Sequence, residues 1–403
     1  MAIEESYQKW RFWPVLFLAF VFAFSSPLIT LATPIYFFQQ GVDIKFISLL
    51  STAITITYCF SPIAFNKISD KLGRRKSVII SVVGVAVAQS IYYFTLNPFI
   101  FLIERLLEGL VLGFFFPNLQ ASISDDPTID HRKYLSRFNL SWSIAVVFGL
   151  LFGSIFLQFI GEVKYIFYIS PIFLILNAFI AIFFFQGPKN LNCGSQNNMP
   201  DFKIKNSINN DKSKVLSKYY IPVIVPILLV FALAFASGNG TLLYPIRAEL
   251  LGFHSSSTYL ISVFSTFAQS ITMYFASLLI LNKLKVATII TLVGYSFLFI
   301  FFNFNENYYL FIILFLFSGL FYGIIYAAAS KFFLTLNILK KTSKYSSIME
   351  SSFGFTFFTS QIFLGFMGGI SIGLGYITLS LSLAVIFLIT LVFIRKLKEM
   401  QSK

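Results

Sequence analysis

The chain has 403 residues, 57% hydrophobic, 19% aromatic and only 11% charged, with a mean hydropathy of +0.81. A soluble protein carries roughly 25% charged residues, so most of this surface is expected to face hydrocarbon rather than water. A net charge of +14 would suggest nucleic acid in a soluble protein, but here the basic residues sit in short segments between apolar runs, where membrane topology accounts for them and no nucleic-acid partner is expected.

Two cysteines, Cys59 and Cys193, are too few for a disulfide framework, and two histidines, His131 and His254, argue against a histidine metal or catalytic site. The first apolar run, from about Phe12 to Gln40, exceeds the roughly 7–15 residues of a signal-peptide core. It is expected to be the first membrane helix.

Charge-poor runs give twelve spans, at about 12–40, 46–66, 77–96, 99–123, 134–160, 165–187, 219–246, 255–282, 286–305, 307–330, 345–373 and 374–394. A helix needs about 20 apolar residues to cross a bilayer. The break between the last two rests only on glycines near Gly373 and Gly375.

With both termini placed in the cytoplasm, about 26 of the 30 Lys and Arg residues fall on the cytoplasmic side. Lys45, Lys164 and Arg247 fall outside and Arg105 lies within a helix. This bias predicts a multi-pass protein of the plasma membrane, oriented by the positive-inside rule. An odd number of spans would spoil the pattern.

Residues 188–218 are rich in Asn, Ser and Lys and include Pro188 and Pro200. They read as a flexible cytoplasmic linker between a bundle at 1–187 and one at 219–403. The halves look related. Pro34 is followed seven residues on by Gly41, and Pro245 by Gly252. Gly109 and Gly113 match Gly319 and Gly323; Gly149 and Gly153 match Gly365 and Gly369. Small residues four apart let helices pack closely in lipid, and weak internal symmetry is expected of carriers built from repeats. The fold class is therefore an all-α integral membrane protein, with twelve transmembrane helices in two pseudo-symmetric six-helix bundles.

Between spans 2 and 3 lies a loop-like, charge-dense stretch, Asn66 to Lys76. Its core, Asp70-Lys71-Leu72-Gly73-Arg74-Arg75-Lys76, resembles the signature loop of the major facilitator superfamily, with Asn66 standing where that signature opens on glycine. The resemblance in architecture covers essentially the whole chain. It implies a carrier whose halves expose a central path alternately to each side. It also implies that Asp70 sits against the cytoplasmic start of helix 11, where a helix dipole favours a carboxylate, and that Arg74 pairs with Asp125 or Asp126. The alternative is a plain basic turn. The triplet Arg74-Arg75-Lys76 would also hold the loop at an anionic leaflet.

Helix 4 carries Glu104, Arg105 and Glu108, roughly 7–15 Å from the outer end at 1.5 Å per residue. A charge facing lipid costs about 2.5 kcal/mol or more, so these side chains are expected to point inward and pair. Arg105-x-x-x-Gly109 resembles the helix-4 motif of the family's proton-coupled drug exporters. Two readings stay open: a proton or substrate site, with Glu108 the deeper candidate, or a permanent ion pair with Glu104 reaching to the outer interface. Glu350, near the start of helix 11, either suits the helix dipole or joins the inner gate.

Gly149-x-x-x-Gly153-Ser154 partly resembles the family's exporter signature, with Ser154 in place of its proline. Thr30, Asn139, Trp142, Asn239, Gln269, Tyr322, Tyr326 and Gln361 either pack and cap or line a path. Such a path, poor in charge and rich in aromatics, favours a neutral, amphiphilic or cationic solute.

No phosphate-cradling Gly-x-x-x-x-Gly-Lys-Ser/Thr occurs, which excludes an ATP-driven pump. The expectation is a monomeric secondary transporter, not an enzyme. It would exchange a small organic solute for protons, with no cofactor or metal. An importer of sugars or organic acids, or a carrier-fold sensor or scaffold, remains the alternative.

Overall fold

The structure, a computed structural model, describes residues 2–124, 131–186, 219–220, 222–340, 344–394 and 398–399. The expected linker, Asp125 and Asp126 lie outside these residues.

The helices are α1 (Ala2–Gln39), α2 (Ile44–Leu72), α3 (Arg74–Ser90), α4 (Pro98–Leu112, resuming at Phe116–Ser124), α5 (His131–Ile160) and α6 (Lys164–Phe183). They continue as α7 (Ile224–Gly238, a π turn at Asn239–Leu243, then Tyr244–Leu250), α8 (Ser255–Leu278), α9 (Leu281–Phe304), α10 (Tyr308–Lys340), α11 (Lys344–Ile370) and α12 (Ile372–Ile394). Tyr219–Tyr220 pairs antiparallel with Lys398–Glu399. Among the described residues, ten of these spans are long and apolar enough to cross a membrane.

The other two are α4 and α8. α8 is apolar only in part, because Ser and Thr recur along it. Its hydroxyls satisfy themselves locally: Ser262 donates to Thr258 O, Thr266 to Ser262 O and Ser270 to Thr266 O, each at 2.9 Å. Back-bonding of this kind removes the cost of a hydroxyl in hydrocarbon.

Three expectations change. The Asn66–Lys76 stretch is not an open loop: α2 runs to Leu72, α3 begins at Arg74, and only Gly73 is non-helical. Gly73 has φ 81° and ψ 157°, backbone space essentially reserved for glycine. Second, the expected span 99–123 breaks at residues 113–115. Pro117 lacks an N–H and cannot bond back toward Gly113, so the helix restarts at Phe116. Third, the turn between α11 and α12 falls at Ser371 rather than at the glycines beyond it. Its hydroxyl accepts from Leu374 N at 3.4 Å, as an N-cap.

The internal repeat is visible in the backbone. Gly41 and Gly252 end α1 and α7 at φ 75° and 72°. In each, the next residue bonds five back, Val42 N to Phe37 O at 3.0 Å and Phe253 N to Ala248 O at 2.9 Å. Both are the same αL helix termination.

The glycine pairs mark where helices touch. A side chain at Gly109 or Gly113 would strike Ile54 O or Ser61 of α2, and one at Gly319 or Gly323 would strike Ser265 O or Gln269 O of α8. Gly149 lies on Phe24 O of α1 and Gly153 on Tyr259 of α8; Gly365 and Gly369 lie on Ser48 and Lys45 of α2. Across the halves, α2 therefore packs on α11 and α5 on α8.

One core joins both halves: its first-half members, Leu28, Ile35, Tyr92, Phe101, Leu157 and Phe167 among them, lie at the end remote from Gly73, and its second-half members run the length of that half, as far as Leu336 and Ile394. Toward the Gly73 end, a second core belongs to the first half alone, with Phe12, Val78, Leu119 and Phe138. Large apolar side chains such as Phe60, Phe94, Phe159 and Phe304 stay exposed, as a lipid-facing surface requires.

Candidate functional site

The halves meet tightly at the end remote from Gly73. Gln39 Nε2 of α1 donates to Glu249 Oε2 of α7 at 2.8 Å, and Ser255 Oγ donates to Glu249 Oε1 at 2.7 Å. Ser154 Oγ of α5 donates to Ser256 O of α8 at 3.0 Å. The Tyr259 hydroxyl donates to Leu28 O of α1 at 2.7 Å. Ser154, which stands where the exporter signature has proline, thus makes a bond across the halves that proline could not make.

Below this seam lies a cavity of about 370 Å³. Its wall includes Phe22, Tyr58, Phe116, Phe138 and Trp142, with Tyr326 and Phe353 from the second half. Arg105, Glu108 and Gln89 supply its strongest polar groups. A second cavity of about 210 Å³ is lined by Thr30, Asn239, Thr241, Gln269 and Tyr322, with no charged side chain. Seven of the eight path candidates line one cavity or the other, Asn139, Trp142 and Tyr326 among them. Gln361 stands behind the wall, donating to Thr241 Oγ1 at 3.1 Å. Thr241 sits in the π turn of α7, a distortion frequent at functional sites.

The charged cluster forms on α4 because residues 104, 105 and 108 share one side of the helix. Arg105 Nη1 pairs with Glu108 Oε2 at 2.6 Å. Gln89 Nε2 of α3 donates to Glu108 Oε1 at 2.8 Å, Ser170 Oγ of α6 donates to Gln89 Oε1 at 2.9 Å, and Ser170 meets Ser25 of α1 at 2.8 Å. Four helices thus hold one ion pair at the cavity wall. Glu104 points away from the cavity, and the Tyr92 hydroxyl donates to its Oε2 at 2.9 Å. It is 0% exposed, which excludes the expected alternative of a carboxyl reaching the outer interface. Gln89, a lone amide within an apolar run, was the sequence signal for this network and was not read as such.

At the other end, Arg74 Nη1 donates to Asn118 Oδ1 of α4 at 3.3 Å, and Ser69 Oγ donates to the same oxygen at 2.6 Å. Asn118 is anchored in turn by its own donation to Phe114 O at 2.7 Å. Arg75 Nη2 donates to Ile182 O near the end of α6 at 3.0 Å, a cation on helix-terminal carbonyls. Lys71 and Lys76 are exposed. The expected partners of Arg74, Asp125 and Asp126, lie outside the described residues, as do the side chains of Asn66, Asp70 and Glu350.

Two helical halves that share a core at one end and enclose a cavity of polar and aromatic groups define a membrane carrier. A family model described as "Major Facilitator Superfamily" matches residues 15–337. The chain belongs to the major facilitator superfamily, and ten of its described helices are long and apolar enough to cross a membrane.

It is 29% identical over 157 residues to the "Multidrug resistance protein MdtG" of Proteus mirabilis (strain HI4320), 38% of this chain and 39% of that protein. It is 30% identical over 115 residues to the "Staphyloferrin B transporter" of Staphylococcus aureus (strain NCTC 8325 / PS 47), 28% of this chain and 27% of that protein. The chain thus spans well under half the length of these curated relatives. Among solved structures, a POT family transporter in complex with a thioalcohol-conjugated peptide superposes with a TM-score of 0.70 at 14% identity, covering 96% of each chain. The nucleoside transporter NupG superposes with a TM-score of 0.69 at 13% identity, covering 94% of this chain and 98% of that one. These two likenesses concern the fold.

Proposed function

We propose that the protein is a proton-coupled exporter of a small amphiphilic or cationic organic solute, working by alternating access. The observation that carries this reading is the aromatic-walled cavity with the Arg105–Glu108 pair on its wall. Aromatic faces bind organic cations and flat apolar rings, whereas a phosphorylated solute would need several bases and finds only Arg105 among the described residues of the cavity wall. The partial likenesses to the "Multidrug resistance protein MdtG" and the "Staphyloferrin B transporter" support a transport reading.

In this reading the halves, residues 1–187 and 219–403 with the linker 188–218 between them, rock as two bodies. The seam of Gln39, Glu249, Ser154 and Tyr259 closes the outer side, and the Gly73 end is cytoplasmic. Asp70 and Glu350 act at that inner gate once the outer side opens.

Purified protein in proteoliposomes tests the proposal. An imposed pH gradient should drive accumulation of a fluorescent aromatic cation, and the cation should in turn move protons. Equal uptake with and without the gradient would refute coupling.

A further inference from the structure

The buried acids of α4 are not equivalent. Glu108 holds both its oxygens on donors, Arg105 Nη1 at 2.6 Å and Gln89 Nε2 at 2.8 Å. Glu104 receives one donor, the Tyr92 hydroxyl on Oε2, and its Oε1 is buried with no hydrogen-bond partner. Arg105 serves Glu108, and its Nε is likewise buried without a partner. An ionised carboxylate with a bare buried oxygen is among the costliest groups a protein can hold, while a neutral carboxyl in the same place is far cheaper.

Beside Glu104 stand Arg105 and Glu108 on its own helix and Tyr92 after α3, which donates to it. One base beside two buried acids leaves the cluster neutral only with a single proton bound.

We propose that Glu104, not Glu108, holds the exchangeable proton of this transporter, with Tyr92 as its positioning residue. This rests on the proton-coupled reading above. Glu104 is fully buried in the present conformation, and opening of the outer side admits the proton from the outer water. The proton then passes from the Glu104 O–H to the Glu108 carboxylate. Glu104 is left ionised and Glu108 neutral, and the cluster keeps its net charge. Release from Glu108 to cavity water completes the path, because Glu108 lines the cavity and Glu104 does not.

Infrared difference spectroscopy on purified protein in lipid tests the assignment without any substrate. At neutral pH the wild type should show the carbonyl stretch of a protonated buried carboxyl. Glu104→Gln should abolish it, Glu108→Gln should keep it, and Tyr92→Phe should move it to higher wavenumber as the hydrogen bond is lost. A band lost in Glu108→Gln but kept in Glu104→Gln, or no such band in the wild type, overturns the proposal. Flux provides the second readout. Glu104→Gln should retain solute counterflow, which needs no net proton movement, and lose accumulation driven by the pH gradient. Retained accumulation in Glu104→Gln also overturns the assignment. A wild type showing the band but no gradient-driven flux refutes proton-coupled transport while leaving the neutral Glu104 intact.

Discussion

Tyr259 of α8 packs its ring against Gly153 of α5 and donates its hydroxyl to Leu28 O of α1 at 2.7 Å. The three residues come from helices far apart in sequence and from both halves of the molecule. Tyr259 is fully buried, so the contact is a seam in the interior and no surface latch. Gly369 of α11, which matches Gly153 in the repeat, likewise lies against a side chain of the opposite half, Lys45 of α2.

Filling the seam should force it open. Gly153→Leu would drive a side chain into the Tyr259 ring, and overpacking a tight site costs about 1–3 kcal/mol. Cysteines introduced near Gln39 and Glu249 should then label faster from the outer side. Unchanged labelling would show that the seam does not decide which side is open.

Removing the Glu108 carboxylate leaves Arg105 buried without its partner. Glu108→Ala is expected to destabilise the protein by about 3–5 kcal/mol, the usual cost of breaking a buried pair. Arg105→Ala in the same chain should recover part of that loss. A thermal-unfolding cycle over the two single variants and the double variant reads the coupling directly, and additive losses would mean the 2.6 Å pair contributes no coupling energy.

Gly73 stands where φ is 81° and ψ is 157°, with nothing within 4 Å of where a Cβ would sit. Strain, not crowding, is therefore the obstacle to substitution. Gly73→Ala should cost about 1–3 kcal/mol, read as a lower melting temperature in detergent. Gly73→Val should cost at least as much, because a β-branched side chain tolerates positive φ even less well than alanine.

Asn118 accepts from both Ser69 and Arg74. Asn118→Leu keeps the volume and strips that acceptor, leaving the buried Ser69 hydroxyl to find another partner at about 1–3 kcal/mol for an unmet buried group. Faster hydrogen exchange at the α2–α3 junction is the expected result. An exchange pattern unchanged there would assign the junction's order to Gly73 and Arg75 alone.

Much of the architecture was legible in residues. Apolar runs, their lengths and the confinement of Lys and Arg to their ends determine membrane helices, because hydrocarbon tolerates neither bare backbone nor bare charge. The glycine pairs lie where helices approach closely, since only small residues allow such approach. The Asp70–Lys76 motif identified the family, and Gly73 within it could be read as a conformational requirement. Less legible were the ends. Hydropathy registers Gly113-Phe114-Phe115-Phe116-Pro117 as apolar, although Pro117 withholds an N–H and breaks the helix. It likewise passes over Ser371, whose cap alone turns the chain.

What composition and spacing determined by themselves was the solvent, the repeat and the family. Tertiary structure alone decided which partner each polar group has. Glu104 and Glu108 are one turn apart and chemically identical, yet Gln89 and Arg105 complete one while Tyr92 and a bare oxygen leave the other wanting a proton. Those donors come from other helices or from one side chain that can serve a single acid. A residue's charge in a dry interior depends on such three-dimensional company, and no pattern along the chain specifies it.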